Sequence, residues 1–489
     1  MRWREAVAPV PMTRVAIVAP AATLRDALVL VADEGAVELD RIVSPADLPV
    51  GEAARALQRL AAHDAPAPLV APATPDLAEL ERTGRADLLA GEAALAEQSA
   101  QAIVRGGVAA LVGWTPTERL PRLAGRLAPV GAAAAPLPRP KGVEPPTAPA
   151  RSGVRRAFAP LVNTYATVPY QDVDPTILAG VAYAVMFGAM FGDVGHGALL
   201  LLGALLIRAG RPRRLAALRP HWLFVAASAV SAILFGLAYG ECFGPTGLVP
   251  DGLLAPLDEP VPMLVLGVAL GAVLLGGSYA LGTVNRVREG GWALALYAPS
   301  GVAGSLLFVA AGLGVGAWYW HSGWVGLLAG TLALTGLALA FVGFLAAAGG
   351  RAAGVAQAVI EVLDLVVRLG ANVVSFARLA AFGLTHAVLT WIVWDATVAL
   401  WGAGPAAAVA AVAVFLLGNA LAFGLEALVS GIQALRLEYY ELFSRVFQLE
   451  GRPFRPWHVP VDPAGWSKEA SCPPGSSQYP PVPAAASAR

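Results

Sequence analysis

The chain has 489 residues, of which 57% are hydrophobic and only 14% charged, with a mean hydropathy of +0.62. An ordinary soluble domain carries about 25% charged residues, so this composition excludes a soluble enzyme of usual make-up and a disordered protein. The 34 basic and 34 acidic side chains cancel, which leaves no basic surplus to bind nucleic acid, and most of the chain reads as one membrane domain.

Met1 to Val10 holds Arg2, Arg4 and Glu5 and lacks the apolar run of a signal peptide. From Met12 a small soluble α/β module is expected. Val15–Val18 reads as a buried strand, Thr23–Ala32 as an amphipathic helix and Ala36–Ile42 as a second strand. Glu52–His63 and Asp76–Gln101 are helical by period, and Val108–Val112 is a further strand. Gly113-Trp114-Thr115-Pro116 is read as a turn into a helix over Glu118–Leu127. Residues 131–152, rich in Pro and Ala, read as a semi-rigid linker closing a first domain at 152.

From about residue 174 the chain is apolar. A spanning helix needs ~20 apolar residues, and the candidate blocks are 175–207, 221–240, 261–284, 291–319, 322–347, 356–400 and 406–447. The first would be ~50 Å long as one helix. Its centre, Phe191-Gly192-Asp193-Val194-Gly195-His196-Gly197, suits a tight turn between two short helices. With that hairpin the count is eight. Arg208, Arg211, Arg213, Arg214, Arg219, Arg286, Arg288, Arg351, Arg445, Arg452 and Arg455 then share a side with the N-terminal module, while Glu241–Pro260, without Arg or Lys, lies opposite. The positive-inside rule makes that Arg-rich side, and both termini, cytoplasmic. The last two blocks would be ~67 and ~63 Å long, so they tilt, break or project from the bilayer. The membrane domain is expected over 153–457, followed by a disordered Pro/Ser/Ala-rich tail over 458–489.

These two blocks also carry charge at membrane depth. Arg378 lies between Val373-Val374-Ser375-Phe376-Ala377 and Leu379-Ala380-Ala381-Phe382, and Arg436 between Ile432-Gln433-Ala434-Leu435 and Leu437. A central arginine costs at least ~2.5–3.5 kcal/mol and does not deprotonate to escape; it must face protein or a wet cavity. The bland alternative is snorkelling from a helix end, to which Arg436, followed by Glu438, Glu441 and Arg445, is the more open. Asp364 lies fourteen residues before Arg378, within ~40° of the same helix face and ~21 Å away. His386 lies eight residues after Arg378. Glu426 and Gln433 share a face of the last helix, and Gln433 and Arg436 are i, i+3 neighbours. Asp364 from one side, with His386 and Glu426 from the other, would form two polar half-paths meeting at a cationic barrier. Unrelated interhelical hydrogen bonds are the alternative.

The segment Ser375-Phe376-Ala377-Arg378-Leu379 through His386 resembles the S-[YF]-x-R-L…H stretch of the membrane stator subunit of rotary V/A-type ATPases, called subunit a or subunit I. Leu425-Glu426 through Arg445, then Glu450-Gly451-Arg452-Pro453-Phe454, is similar to its last helix and following end. Pro169–Thr176 and Met186–Gly197 resemble its membrane entry and first hairpin, Phe235-Gly236 through Phe243-Gly244 its third helix, and Ala110–Pro116 its Gly-Trp-x-Pro turn. The resemblance covers about residues 13–457 and looks like the prokaryotic branch, which implies a multi-pass protein of a prokaryotic plasma membrane. It implies that Arg378, helped by Arg436, stabilises an ionised carboxylate on a rotating proteolipid c-ring and blocks a direct leak. Glu426, His386 and Gln433 would line the outer path and Asp364 the cytoplasmic one, and Ser375 belongs to the same proton-translocating motif. Implied partners are the c-ring, a central-stalk ring-capping subunit, E/G-type peripheral stalks reached through the N-terminal domain, and membrane lipid. That domain is short, because only ~50 residues join its two halves where the family carries a long coiled coil. Met12 coincides with the family's opening strand, so residues 1–11 are expected to be an over-extended start.

No Gly-x-x-x-x-Gly-Lys-Ser/Thr loop occurs, so ATP chemistry is not expected in this chain. No cofactor or metal centre is expected either: the two cysteines, Cys242 and Cys472, are far apart, and Asp193 with His196 reads as a turn and packing pair rather than a metal pair. The competing functions are an autonomous secondary transporter with an Arg/Asp/Glu relay, which calls for an internal repeat that the sequence lacks, and a membrane scaffold indifferent to Arg378.

Overall fold

Along β1 (Met12–Pro20), Val15, Ile17 and Ala19 are buried and alternate with partly exposed neighbours, the period-2 pattern of a strand with one face on a core. The computed structural model describes residues 9–44, 50–60, 67–140, 142–149, 153–250, 252–349, 352–402, 404–447 and 450–462. These form two units, one built from Val10–Ala148 with the segment after Pro453, the other from Pro149–Arg452.

In the first unit, α1 (Leu24–Glu34) lays Ala27, Leu28 and Val31 on the sheet and ends at Gly35, whose φ of +53° closes the helix in the left-handed region. After β2 (Glu38–Leu39) come α2 (Glu52–Arg59), α3 (Leu77–Arg82) and α4 (Ala86–Ala100), with their own small core of Ala56, Leu80, Leu88 and Leu89. The helix expected over 76–101 is thus two, divided at Gly84, where φ is +67°. β3 (Ile103–Arg105), β4 (Val108–Pro116), α5 (Leu120–Leu127) and β5 (Ala133–Leu137) complete the unit. The sheet runs β2-β4-β1-β5, all antiparallel, with β3 also on β4.

Two local expectations are corrected. Gly113–Pro116 is not a turn: β4 continues through it, pairing Gly113 with Val15 and Pro116 with Met12. A Cβ at Gly113 would lie 2.3 Å from the Glu38 carbonyl oxygen, so the glycine serves strand packing. The expected linker begins with edge strand β5, whose Ala-Ala-Ala-Pro-Leu sequence carries no β-branched signal and tolerates Pro136 at an edge. The chain also returns at its end. Trp457 N–H donates to the Val37 carbonyl, Val459 is buried in the sheet core, Val461 bridges Val70, and Asp462 receives Arg85. Residues 458–462 of the expected tail are therefore packed; 463–489 lie outside the described residues.

The second unit begins with α6 (Gly153–Asn163) and the hairpin α7 (Thr176–Met190) and α8 (Val194–Arg208). Then come α9 (Trp222–Tyr239), α10 (Pro260–Tyr297), α11 (Val302–Tyr319), α12 (Gly323–Ala347), α13 (Ala352–Ser375), α14 (Ala377–Trp401) and α15 (Pro405–Leu437). Five helical stretches are long and apolar enough to cross a membrane: Ala216–Tyr239, Pro260–Tyr297, Val302–Tyr319, Gly323–Ala347 and Pro405–Val446. The protein is a multi-pass membrane protein, mostly helical, with a small N-terminal sheet unit. The expected break at 285–290 is displaced. α10 runs on to Tyr297, kinked at Gly291 (φ +72°), and ends where Ala298, extended ahead of Pro299, leaves the helix.

Glycines set the close approaches. A Cβ at Gly188 would lie 2.2 Å from Ser231 Oγ, and one at Gly236 would lie 2.5 Å from Val194 N, which seats α9 on the hairpin. The long segment 352–401 breaks at Phe376, fully buried against Gly271, where a Cβ would stand 2.1 Å from the ring. After α15 the helix widens into a π-helical segment, Glu438–Phe443, and ends with α16 (Ser444–Val446).

Candidate functional site

The hairpin turn builds one half of a buried polar group. Asp193 caps α8: its Oδ1 accepts from His196 N–H at 2.8 Å, the N-cap bond that satisfies an orphan helix donor. Its Oδ2 accepts from Gly244 N–H at 3.1 Å, tying the hairpin to the loop after α9. One turn into α8, His196 is fully buried among Phe191, Phe243 and Phe423.

The last two helices supply the other half. His386 of α14 is 2% exposed, and its Nδ1 hydrogen-bonds Glu426 Oε2 of α15. Its Nε2 faces Asp193 Oδ2 at 3.9 Å, beyond hydrogen-bond range. Glu241, buried at the end of α9, acts electrostatically on the same group, and its Oε2 has no hydrogen-bond partner. Three carboxylates and two imidazoles from four segments therefore converge in the membrane unit. Ionisable groups buried inside a membrane protein are costly, which makes this cluster a candidate functional site.

The arginines stand apart from this group. Arg378, in the first turn of α14, is partly buried, and its Nη1 is enclosed without a hydrogen-bond partner. Arg436, near the end of α15, is exposed, and its charge acts on Arg378 together with that of Glu441. Among the described residues neither arginine has a carboxylate within 4.0 Å. Gln433 is partly buried with Oε1 unsatisfied. Ser375 donates to Glu441 Oε1 at 2.5 Å. Asp364 pairs with Arg368 one turn along α13, with its side chain 45% exposed, and does not join the buried group.

Of the residues singled out in the sequence, His386 and Glu426 meet directly, and Ser375 meets Glu441, which was not among them. Four acids and a histidine were undervalued there. Asp193 and His196 looked like turn residues, Glu241 like the edge of a loop, and Glu438 and Glu441 like wet residues beside Arg436. Glu438 is 1% exposed and Glu441 7%. They lie i, i+3 within a π-helical segment, a feature frequent at functional sites that the sequence does not announce.

A profile of the V-type ATPase 116 kDa subunit family matches residues 104–227, from β3 through the hairpin into α9. The A-type ATP synthase subunit I of Pyrococcus horikoshii is 26% identical over 312 residues, covering 61% of this chain and 45% of that protein. That of Aeropyrum pernix is 27% identical over 360 residues, 62% and 50% of the two chains. The vacuolar proton translocating ATPase 100 kDa subunit of Dictyostelium discoideum is 48% identical over 61 residues, 12% of this chain and 8% of that protein. A multi-pass, mostly helical membrane protein with a small N-terminal sheet unit is thus the class that fold and matches define. Over residues 104–227 the chain is similar to the V-type ATPase 116 kDa subunit family, and over about three fifths of its length to subunit I of A-type ATP synthases. It spans about half the length of these two relatives.

Proposed function

We propose that this chain is the membrane stator subunit of a rotary V/A-type ATPase or ATP synthase, supplying two proton half-channels and the arginine that separates them. The observation that carries the reading is that Arg378 and Arg436, set in apolar helices, have no carboxylate in ion-pair range among the described residues. An arginine at that depth is costly without a partner. A carboxylate on a neighbouring rotating ring of proteolipids would pass in front of it, be held ionised by the positive charge, and release its proton there.

In this reading Glu241, Asp193, His386 and Glu426, with Gln433, form the outer path. Asp364 lies on the cytoplasmic path, and Ser375 holds Glu441 near the barrier. Residues 1–152 form the cytoplasmic domain. Counting the hairpin helices, the five long apolar stretches and the interrupted segment 352–401 gives eight membrane passes with both termini cytoplasmic. The ring, a central-stalk subunit and peripheral stalks are the partners, the last through the N-terminal unit.

ATP-driven proton pumping in vesicles tests this, with assembly checked by co-purification of the ring. Arg378→Ala is expected to assemble and lose pumping by more than tenfold. A variant that assembles and pumps normally overturns the barrier assignment.

A further inference from the structure

We propose that Asp193, His196 and His386 form a binding site for a single divalent transition-metal ion of the zinc class. The inference goes beyond the proton-path reading and stands on the geometry of the three side chains. Each offers one donor atom, all three side chains are buried, and the donor atoms lie within 4.8 Å of one another. His196 Nδ1 is 3.9 Å from Asp193 Oδ1 and His386 Nε2 is 3.9 Å from Asp193 Oδ2. Zinc holds nitrogen and carboxylate ligands at about 2.0–2.2 Å in a tetrahedron, which sets neighbouring donors about 3.4 Å apart. Donor atoms within 4.8 Å of one another reach that spacing through side-chain movements of up to about 1.4 Å.

The second observation is independent of that spacing. His196 is fully buried, and neither of its ring nitrogens has a hydrogen-bond partner within 3.5 Å, Asn419 being a polar side chain that interacts with it. A buried polar group left in that state carries a desolvation penalty that a metal ion would relieve.

His386 adds a third. Its Nδ1 is engaged by Glu426, so an Nδ1–H donated to that carboxylate leaves the Nε2 lone pair directed at Asp193. A carboxylate behind a histidine is the arrangement that orients metal-ligating imidazoles. The buried acids Asp193, Glu241 and Glu426 give the pocket a negative surrounding that a dication offsets, and Glu241, whose Oε2 has no hydrogen-bond partner, acts electrostatically on His386 and Asp193. Two imidazoles with one carboxylate select zinc, cobalt or nickel over the all-oxygen preference of calcium and magnesium and the thiolate preference of copper(I).

The test uses the assembled, detergent-purified complex, stripped with a chelator and titrated with cobalt(II) chloride. Wild type is expected to take up one more cobalt per copy of this chain than His196→Gln, with an intense tetrahedral visible absorption that zinc chloride abolishes. Asp193→Asn, which keeps the oxygen that caps α8, is expected to weaken uptake at least tenfold. Equal uptake in wild type and in the variants, or no tetrahedral band in wild type, overturns the site; should His196→Gln fail to assemble, Asp193→Asn and the wild-type spectrum decide. Proton pumping with zinc chloride added, relative to each protein's metal-free rate, separates this inference from the proton path. Cobalt uptake with pumping insensitive to zinc sustains the metal site and counts against an outer path through His386.

Discussion

Ser375 and Glu441 join the two places where the last long helices depart from regular geometry. Ser375 ends α13 at the break before Phe376, Glu441 sits in the π-helical segment after α15, and the serine hydroxyl donates to the carboxylate at 2.5 Å. Because Glu441 is buried and its other oxygen is unsatisfied, Ser375→Ala leaves the acid with no hydroxyl partner. Loss of a bond to a buried polar group costs about 1–3 kcal/mol. Thermal unfolding of the purified protein should show that loss, and Glu441→Gln combined with Ser375→Ala should cost less than the two single changes summed. Strict additivity would mean that the contact contributes nothing.

Arg378 and lysine should not be interchangeable. A guanidinium is planar, always charged and presents several donors, whereas an ammonium is a compact point charge that shifts its pKa when buried. Arg378→Lys is expected to assemble and still pump at least tenfold below wild type. Lysine restoring more than half of the rate would reduce the barrier to simple charge.

Gly271 faces the fully buried ring of Phe376, and an added Cβ would stand 2.1 Å from Cγ. Gly271→Ala must therefore displace the ring that marks the α13–α14 break. Overpacking of this kind costs about 1–3 kcal/mol. A lowered melting temperature is expected, partly recovered by Phe376→Leu in the same chain. An unchanged melting temperature for Gly271→Ala alone would show that the helices can part at no cost.

In the N-terminal unit Arg85 donates twice to Asp87, each at 2.9 Å, and reaches Asp462 at 3.1 Å. The Arg85 hydrogen bond holds the Asp87 carboxyl below its ordinary range. A depressed folded pKa means that the stabilisation is present above the unfolded value of about 3.9 and is lost as pH falls through the lower folded value. Hydrogen exchange of the segment 453–462 should accelerate below about pH 4, and Arg85→Ala should flatten that dependence. The pairs are partly exposed, so the effect is modest. An identical pH profile in the variant would remove Asp87 from the acid transition.

Much of this architecture is readable from residue pattern. The glycines around Asp193 announced the hairpin, the lengths of 356–400 and 406–447 announced that they could not run straight, and alternation at Val15 and Ile17 gave the central strand. What escaped was information carried by partners distant in sequence. β5 is made of alanines with no propensity of their own and exists because β1 pairs with it. Gly113 resembled a turn because glycine usually signals one, while its purpose is to admit the Glu38 carbonyl. The site divided the same way. His386 and Glu426 stood out as polar residues in apolar helices, whereas Asp193 and His196 were hidden by their glycine neighbours. Burial of Glu438 and Glu441 depends on a local widening of the helix that no periodicity reports.

The closing segment of the chain sets a timetable for synthesis. Asp462, the partner of Arg85, is translated 377 residues after it. At about 5–20 residues per second the ribosome takes roughly 20–75 s to cover that distance. Throughout that interval the first-made unit lacks Val459 in its core and the bridge from Val461 to Val70. Its final closure thus reports that the helices from α6 to α16 have already been made, and a nascent chain arrested before that point presents an unfinished core to the quality-control machinery of the cell.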